Sequence, residues 1–211
     1  MNMDFIILNI PIILFALTVH EYCHALVAHR LGDDTAMRLG RLTLNPLKHL
    51  DIFGTILMVL VGFGWAKPVP VDARNLSNPK RDMLYVAIAG PVSNLILALL
   101  AGLGLRYMIR GTVQEGFAGY NGVIFQLLTL TLLYNTALAV FNMLPLPPLD
   151  GSRVLFGLLP RRLEYPYRRI EPFGILILFV IFMFGHGIFN QVLWYPVSVI
   201  TRNLAGINLI G

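Results

Sequence analysis

The first apolar segment of this chain contains ionisable side chains that a membrane helix rarely holds. Residues 5–28 are nearly all apolar, yet His20, Glu21 and His24 form the pattern H-E-x-x-H within them. A charged side chain such as Asp or Lys at the middle of a membrane helix costs about 2.5–3.5 kcal/mol on insertion scales. The alternative is that these three residues are simply buried and hydrogen-bonded to polar neighbours. We interpret the motif as functional, because a membrane helix that keeps three such costly side chains together is expected to use them.

The spacing of the motif predicts a metal site. On a helix, residues four positions apart lie on one face, so His20 and His24 can share a ligand. Two imidazoles so placed can bind a zinc ion at about 2.0–2.1 Å each. The adjacent Glu21 can accept a proton from water bound to the metal. We therefore expect one Zn²⁺ per chain.

The composition indicates a membrane protein with several spans. Of the 211 residues, 56% are hydrophobic and only 13% are charged, and the mean hydropathy is +0.71. These values exclude an ordinary soluble domain. The net charge of +5 is assigned to cytoplasmic loops, and no Lys/Arg run with interleaved aromatic residues indicates a nucleic-acid surface. The expected surroundings are a lipid bilayer, and no nucleic acid is expected as a partner.

We predict an all-α polytopic membrane protein with about four full transmembrane helices and a small β element. Residues 54–66 are too short to span, which favours a re-entrant or partial segment. Residues 191–211 are moderately apolar, and we expect them to form a C-terminal partial span or an interfacial helix. Short alternation followed by a turn signal at Asn45-Pro46 predicts the β element near residues 35–53. The four full-length apolar runs are 5–28, 83–105, 122–144 and 172–190.

The distribution of basic residues predicts the orientation. Residues 30–82 hold eight Lys or Arg and residues 153–169 hold five, whereas the tail before Phe5 holds none. The positive-inside rule places the two basic segments in the cytoplasm. The first and third spans then both run inward, which brings the H-E-x-x-H motif and Asp150 toward the same, cytoplasmic side.

A catalytic zinc site requires a third protein ligand and one open position. Val27 and Arg30 stand where the metzincin pattern has Gly and His, so that pattern is excluded. Asp150 is the preferred third ligand, because it follows a proline-rich turn and precedes Gly151, which would allow a close approach to a ligand. The alternative is that Asp150 caps a helix or pairs with Arg153. The remaining candidates lie in charged or loop contexts: Glu115, Glu164 and Glu171.

Four motifs together carry a family resemblance. They are His20-Glu21-x-x-His24, Asn45-Pro46-Leu47-Lys48-His49-Leu50-Asp51-Ile52-Phe53-Gly54-Thr55, Gly90-Pro91-x-x-Asn94 and Asn142-x-x-Pro145-x-x-Pro148-Leu149-Asp150-Gly151. Over about residues 15–155 the chain resembles the site-2 protease family of intramembrane zinc metalloproteases, in a minimal form without a PDZ or CBS domain. The resemblance implies His20, His24 and Asp150 as zinc ligands. It also implies Glu21 as the catalytic glutamate and Asn142 as a residue that holds substrate or stabilises the oxyanion.

The resemblance also implies an activity and a location. The activity is hydrolysis of a peptide bond in or near the transmembrane segment of a single-span membrane protein, as in regulated intramembrane proteolysis. The expected location is a prokaryotic plasma membrane, as a multi-pass protein with its active site toward the cytoplasm. We expect one membrane-embedded domain over 1–211 with a catalytic core over about 5–155. The oligomeric state is not predicted.

Two other functions use the same residues. A metal transporter or channel would bind an ion in transit and would need a polar path on both sides of the site. Here the acidic and His residues cluster toward one side of the predicted bilayer. A non-catalytic membrane scaffold would have no need of Glu21 beside a complete ligand set. Both functions rank below proteolysis.

Three other polar residues are less specific. Asn94 is expected either to hydrogen-bond a ligand histidine or to hydrogen-bond a neighbouring helix. His49 and Asp51 are expected to order the loop before residues 54–66 rather than to touch a metal.

Overall fold

The protein is described here by a computed structural model that covers residues 3–51, 54, 66–111, 120–207 and 209. The predicted re-entrant segment 54–66 lies almost entirely outside the described residues, so its form stays a prediction. The described parts of the chain form helices and turns and contain no sheet. The prediction of an all-α fold is therefore confirmed.

Nine α-helices lie in the described parts of the chain. They are α1 (Met3–Arg30), α2 (Thr35–Arg38), α3 (Pro79–Gly111), α4 (Tyr120–Asn142), α5 (Asp150–Leu158), α6 (Arg161–Arg168), α7 (Gly174–Phe184), α8 (His186–Phe189) and α9 (Tyr195–Ala205). Shorter turns are of the 3₁₀ type at Pro46–Lys48, Ala73–Asn75 and Glu171–Phe173, and of the π type at Asn190–Trp194.

Three helices are long and apolar enough to cross a membrane. The segments within α1, α3 and α4 are Ile7–Arg30, Pro79–Arg110 and Gly122–Asn142, with 24, 32 and 21 residues. At about 1.5 Å per residue, each reaches the roughly 30 Å thickness of a hydrocarbon core. Pro11 lies inside α1 and Pro91 inside α3, and membrane helices tolerate such prolines where neighbours satisfy the freed backbone groups. These helices confirm the polytopic membrane class and correspond to the first three predicted spans.

The fourth predicted span, residues 172–190, is divided in the structure. Its longest helix, α7, has 11 residues and ends at Gly185, where φ is −99° and ψ is 33°. Eleven residues extend only about 16 Å, which is half of a hydrocarbon core. The chain then continues through α8 and the π turn into α9, which Gly206 ends in a left-handed conformation with φ 80°. The count of four full spans and the C-terminal partial span both stay predictions.

The predicted β element near residues 35–53 is wrong over the described residues 35–51. This stretch forms α2 and a 3₁₀ turn, and its one β contact is an isolated bridge between Leu50 and Ala66. The reason is local capping. Asp33 accepts a hydrogen bond from the backbone N–H of Thr35, and Asn45 accepts one from the N–H of Leu47. Backbone donors used in such caps and turns are not available to a strand ladder.

Helix α3 lies at the centre of the bundle and packs against α1, α4, α5 and α9. Small side chains line its contact with α9: Ala98 and Ala101 of α3 share one buried cluster with Ala205 of α9. A Cβ atom on Gly102 would lie 2.8 Å from Cβ of Leu204. Small residues let membrane helices approach closely, since lipid supplies no hydrophobic force between them.

A buried aspartate joins the turn after α1 to the loop before α3. The side chain of Asp33 accepts hydrogen bonds from the N–H and hydroxyl of Thr35, the N–H of Asp72 and the side-chain amide of Asn75. Burial by itself would raise the pKa of Asp33, but these hydrogen bonds outweigh it and hold the pKa below its ordinary value. The carboxylate therefore holds two loop segments together where α1 ends.

Replacement of Asp33 tests this connection. In Asp33→Ala, four hydrogen bonds lose their charged acceptor, each of which typically contributes about 1.5–3 kcal/mol. We expect the free energy of unfolding in detergent to fall by at least about 3 kcal/mol, which is less than the sum of the four bonds because these partly buried donors can regain hydrogen bonds to water. Because the folded pKa is depressed, this contribution is complete above the ordinary aspartate pKa of about 3.9 and is lost as the pH falls through the folded value.

The matched control is Asp34→Ala, in the same turn. Asp34 pairs with His29 and its side chain is 36% exposed, and exposed ion pairs contribute about 0–1 kcal/mol. Equal destabilisation by the two substitutions, measured by urea unfolding at neutral pH, would contradict the role given to Asp33.

Candidate metal centre

Helix α1 presents the H-E-x-x-H motif in the half of the helix that ends at Arg30. His20 and His24 are buried, with 3% and 7% of their surface exposed. Their rings meet edge to face, with centroids 4.6 Å apart and an interplanar angle of 84°. The spacing of four residues therefore does place both imidazoles on one face of the helix, as the motif predicted.

Asp150 contacts both histidines, although it lies 130 and 126 residues after them in the chain. The proline-rich turn after α4 prevents that helix from continuing, and α5 begins at Asp150. Oδ2 of Asp150 lies 3.0 Å from Nε2 of His20 and 3.1 Å from Nε2 of His24, and the two Nε2 atoms are 3.0 Å apart. Among the ion pairs of the described residues, Asp150 pairs with these histidines and not with Arg153.

Gly151 determines how α5 meets the end of α4. A Cβ atom at this position would overlap the backbone carbonyl oxygens of Met143 and Leu144. The close approach expected at Gly151 is therefore made to the backbone at the end of α4, not to a ligand. This close packing fixes the position of the neighbouring Asp150 relative to the end of α4.

The second nitrogen of each imidazole is engaged by a fixed partner. Nδ1 of His24 lies 2.7 Å from the carbonyl oxygen of Val86, which can only accept, so Nδ1 carries the proton. Nδ1 of His20 lies 2.6 Å from Oδ1 of Asn94. Such partners assign the tautomer of a ligating histidine. In the neutral rings, Nε2 is then the atom with a free lone pair.

The three converging atoms fit a zinc ion. Nε2 of His20, Nε2 of His24 and Oδ2 of Asp150 meet as acceptors with no proton assigned among them. In buried surroundings such a meeting is repulsive unless a cation compensates it. A tetrahedral zinc ion with ligands at about 2.0–2.1 Å needs them about 3.3 Å apart, close to the separations found. Three ligands also leave one position open, as catalytic sites require.

Glu21 is held by a backbone donor that the sequence did not single out. Its Oε2 atom accepts a hydrogen bond of 2.8 Å from the N–H of Val69. Val69 stands between Pro68 and Pro70, which have no N–H, so it offers the single backbone donor of that triplet. Arg41 anchors the same segment, because its Nη2 atom donates to the carbonyl oxygen of Lys67 at 2.7 Å. The Pro-Val-Pro pattern was the available signal for this contact.

Asn142 does not join the three converging side chains. It is the last residue of α4, and its side-chain amide donates a hydrogen bond of 3.1 Å to the carbonyl oxygen of Leu138, one turn earlier. Among the described residues no hydrogen bond links Asn142 to the histidines or to Asp150. The structure therefore leaves its predicted role as a prediction.

The less specific residues are resolved by their contacts. Asn94 makes both contacts that the sequence left open, since it contacts His20 and also donates to Oδ1 of Asn135 on α4. His49 is buried, and its Nε2 atom lies 2.8 Å from the carbonyl oxygen of Thr43, which accepts its proton. His49 thus orders its own loop, as expected.

Gly90 makes room for both imidazoles. A Cβ atom on Gly90 of α3 would meet Nε2 of His24 and would lie 2.5 Å from Nε2 of His20. These are the atoms that face Asp150, so the absence of a side chain at this position leaves open the space between α3 and α1 that the two rings occupy.

Known proteins are similar in sequence to this chain over most of its length. Residues 112–185 match the sequence profile described as Peptidase family M50. Several relatives carry the name "Putative zinc metalloprotease", among them the following two. The first, YwhC of Bacillus subtilis, is 43% identical over 182 residues, which is 86% of this chain and 82% of the relative. The second, Rip2 of Mycolicibacterium smegmatis, is 32% identical over 189 residues, or 86% and 70%. No solved structure matches the chain.

The apolar helices, the converging His and Asp side chains and these similarities define the class of protein as a membrane zinc metalloprotease. The chain belongs to peptidase family M50, the site-2 protease family. Its cofactor is zinc, as the resemblance implied. The metal transporter and the non-catalytic scaffold are not retained.

Substitution of Gly90 tests the space around the two imidazoles. In Gly90→Ala the added methyl group would overlap Nε2 of both histidines, so we expect purified protein to lose most of its zinc, measured as metal per chain. Alanine is a better helix former than glycine by about 1 kcal/mol, so α3 itself should persist. The matched control is Gly104→Ala in the same helix, where a Cβ atom would lie 3.1 Å from a terminal methyl group of Leu128. Full zinc occupancy in Gly90→Ala would contradict the geometry.

Proposed function

We propose that the protein hydrolyses a peptide bond in or near the transmembrane segment of another membrane protein. In this proposal, His20, His24 and Asp150 hold one Zn²⁺ and Glu21 is the general base. The observation that carries the proposal is the meeting of three acceptor atoms within 3.1 Å of one another. Two of them belong to a helix that is long and apolar enough to cross a membrane.

Glu21 moves the protons of the proposed reaction. Zinc, when bound, makes water more acidic and polarises a carbonyl group. Glu21 follows His20 directly in α1, accepts a proton from the attacking water and later donates it to the nitrogen of the leaving amine. The oxygen of that water enters the new carboxyl group as the C–N bond breaks.

The contact with Val69 supports this role for Glu21. A glutamate side chain has three rotatable bonds, and the hydrogen bond from Val69 holds its Oε2 atom in one place. The segment that carries this donor is itself anchored, because Arg41 donates to the carbonyl oxygens of Lys67 and Pro68, the two residues before Val69. A base held in advance does not lose this freedom during the reaction.

Asn142 is proposed to contact the substrate. Its amide donates to a carbonyl oxygen at the end of α4, and a substrate oxygen can replace that acceptor at little net cost, since one neutral hydrogen bond is exchanged for another. Donors to a developing oxyanion typically contribute about 3–4 kcal/mol to the transition state. An Asn142→Ala variant that keeps zinc and cleaves at the wild-type rate would remove this role.

The position of the motif along α1 supports cleavage within the bilayer. Between the ends of the apolar segment Ile7–Arg30, His20 lies about 20 Å from the start and about 15 Å from the end, at 1.5 Å per residue. The basic segments 30–82 and 153–169 favour a cytoplasmic location for the nearer end. In this proposal the site belongs to a catalytic core over 5–155 within one domain over 1–211.

The proposed substrate is a single-span membrane protein, and the proposed location is a prokaryotic plasma membrane. The relatives come from Bacillus subtilis, from mycobacteria and from Methanocaldococcus jannaschii, all of which are prokaryotes, and this supports the location. A site buried among helices also favours a substrate that arrives from the bilayer.

Glu21→Gln separates metal binding from proton transfer. Glutamine keeps an oxygen for the Val69 donor but cannot accept a proton, so we expect zinc content to stay at the wild-type level. General base catalysis contributes about 10²–10⁴-fold, so cleavage should fall by at least about 100-fold. The measurement is cleavage of a panel of single-span membrane proteins in detergent micelles, with product masses and zinc per chain determined in parallel.

The control for this variant is Glu164→Gln, which alters a glutamate paired with Lys80 outside the site and should leave cleavage unchanged. A zinc chelator should abolish cleavage by the wild type. Wild-type turnover by Glu21→Gln would show that another group is the base, and loss of zinc would show that Glu21 is a ligand.

Asp150→Ala tests the third ligand. With two imidazoles left, we expect zinc affinity to fall by at least about 100-fold, because a catalytic zinc site depends on three protein ligands. Zinc binding is measured by competition with a chelator of known affinity. Asp72→Ala is the control, since Asp72 pairs with Arg74 in an exposed loop. An Asp150→Ala protein that binds zinc like the wild type would place the third ligand elsewhere.

A further inference from the structure

Two asparagines lie fully buried between α1, α3 and α4. Asn94 on α3 and Asn135 on α4 each have 0% of their surface exposed. A buried amide without partners costs about 1–3 kcal/mol in proteins. Both amides are hydrogen-bonded, and their partners form one continuous line from the backbone of α4 to the ring of His20.

Backbone carbonyls determine which way each amide points. Nδ2 of Asn135 donates to the carbonyl oxygen of Thr131 at 2.9 Å, and Nδ2 of Asn94 donates to that of Ala16 at 3.2 Å. Carbonyl oxygens can only accept, so neither amide can be reversed without setting two oxygens against each other. The remaining contacts follow: Oδ1 of Asn135 accepts from Asn94 at 2.8 Å, and Oδ1 of Asn94 faces Nδ1 of His20 at 2.6 Å.

We propose that Asn135 is a positioning residue, which acts through Asn94 to keep the proton of His20 on Nδ1. The consequence is that Nε2 of His20 presents its lone pair beside Asp150. If Asn94 turned over, its NH₂ group would face Nδ1 and the proton would move to Nε2, where a metal would have to displace it. The inference rests on the proposed zinc site.

The two histidines differ in how they are held. His24 donates to the backbone carbonyl of Val86, which no substitution removes. The partner of His20 is the side chain of Asn94, which is held by two acceptors, the carbonyl oxygen of Ala16 at 3.2 Å and Oδ1 of Asn135 at 2.8 Å. Of these two, the shorter contact is the one that a substitution can remove. The metal-facing atom of His20 is therefore the one whose state a mutation on α4 can change.

A second polar contact between the same helices provides the comparison. The hydroxyl group of Tyr134, next to Asn135 on α4, donates to Oδ1 of Asn9 on α1. This contact also joins α1 to α4, but it lies 11 residues before His20 in α1 and is not part of the line that reaches the ring. Loss of the Tyr134 hydroxyl removes a bond between helices without altering the partners of His20.

The test is the affinity of the full chain for zinc, measured in detergent by competition with a chelator. Partners of metal-ligating histidines typically change metal affinity by 10–100-fold. We expect Asn94→Ala to weaken binding by about 10–100-fold and Asn135→Ala by about 10-fold. The double variant should bind no more weakly than Asn94→Ala alone, because Asn135 acts only through Asn94. Tyr134→Phe should change the dissociation constant by less than about twofold, the scatter of independent distant sites.

Asn135→Asp separates the hydrogen bond from simple packing. The new carboxyl group would lie in a fully buried place beside a carbonyl oxygen, and burial disfavours its charged form. As a neutral acid it has the shape of the amide, donates to the carbonyl oxygen of Thr131 and accepts from Asn94, so zinc affinity should stay near the wild-type value. Wild-type affinity in Asn135→Ala would overturn the inference. So would a double variant whose loss is the product of the single losses, or equal losses in Asn135→Ala and Tyr134→Phe. A wild-type protein that binds no zinc would instead refute the proposed metal site, and this is seen before any variant is compared.

Discussion

The structure depends on three acceptor atoms that meet in a buried space, two from imidazoles on α1 and one from the carboxylate of Asp150. Without a cation these atoms repel one another, so the fold itself must hold them in place. Three features do this: the helical spacing of His20 and His24, the close approach of α5 to the end of α4 at Gly151, and the missing side chain at Gly90. The candidate metal centre is thus a property of the packed helices rather than of the motif alone.

The polar groups around the centre follow one rule. Inside an apolar bundle each must have a partner, and partners that can only accept determine where the protons lie. The carbonyl of Val86 orients His24 directly, while the carbonyls of Thr131 and Ala16 orient the amides that lead to His20. Glu21 lies at the edge of this bundle, where a loop donor from Val69 reaches it. Glu21 and the three converging side chains are therefore held by different parts of the chain.

Much of this arrangement could be predicted from the residues. H-E-x-x-H in an apolar segment indicated the metal pair, and Asp150 stood out among the acids because of its proline-rich approach and its glycine neighbour. The β element was wrong because local hydrogen bonding competes with pattern. Alternation near Thr35–Leu44 resembled a strand, but the side chains of Asp33 and Asn45 cap backbone donors there. The run over 172–190 has the length of a span and is divided at Gly185, so the fourth span stays a prediction.

The sequence by itself determined the membrane class, the first three spans and the identity of the side chains that can bind a metal, because hydrophobic length and ligand spacing are local properties. Only the tertiary structure decided that residues 130 positions apart share one small space, that α3 leaves that space free, and that Val69 and Asn94 are the groups facing Glu21 and His20. These are contacts between segments distant in the chain, and no local pattern encodes the direction in which a buried amide or a loop N–H will point.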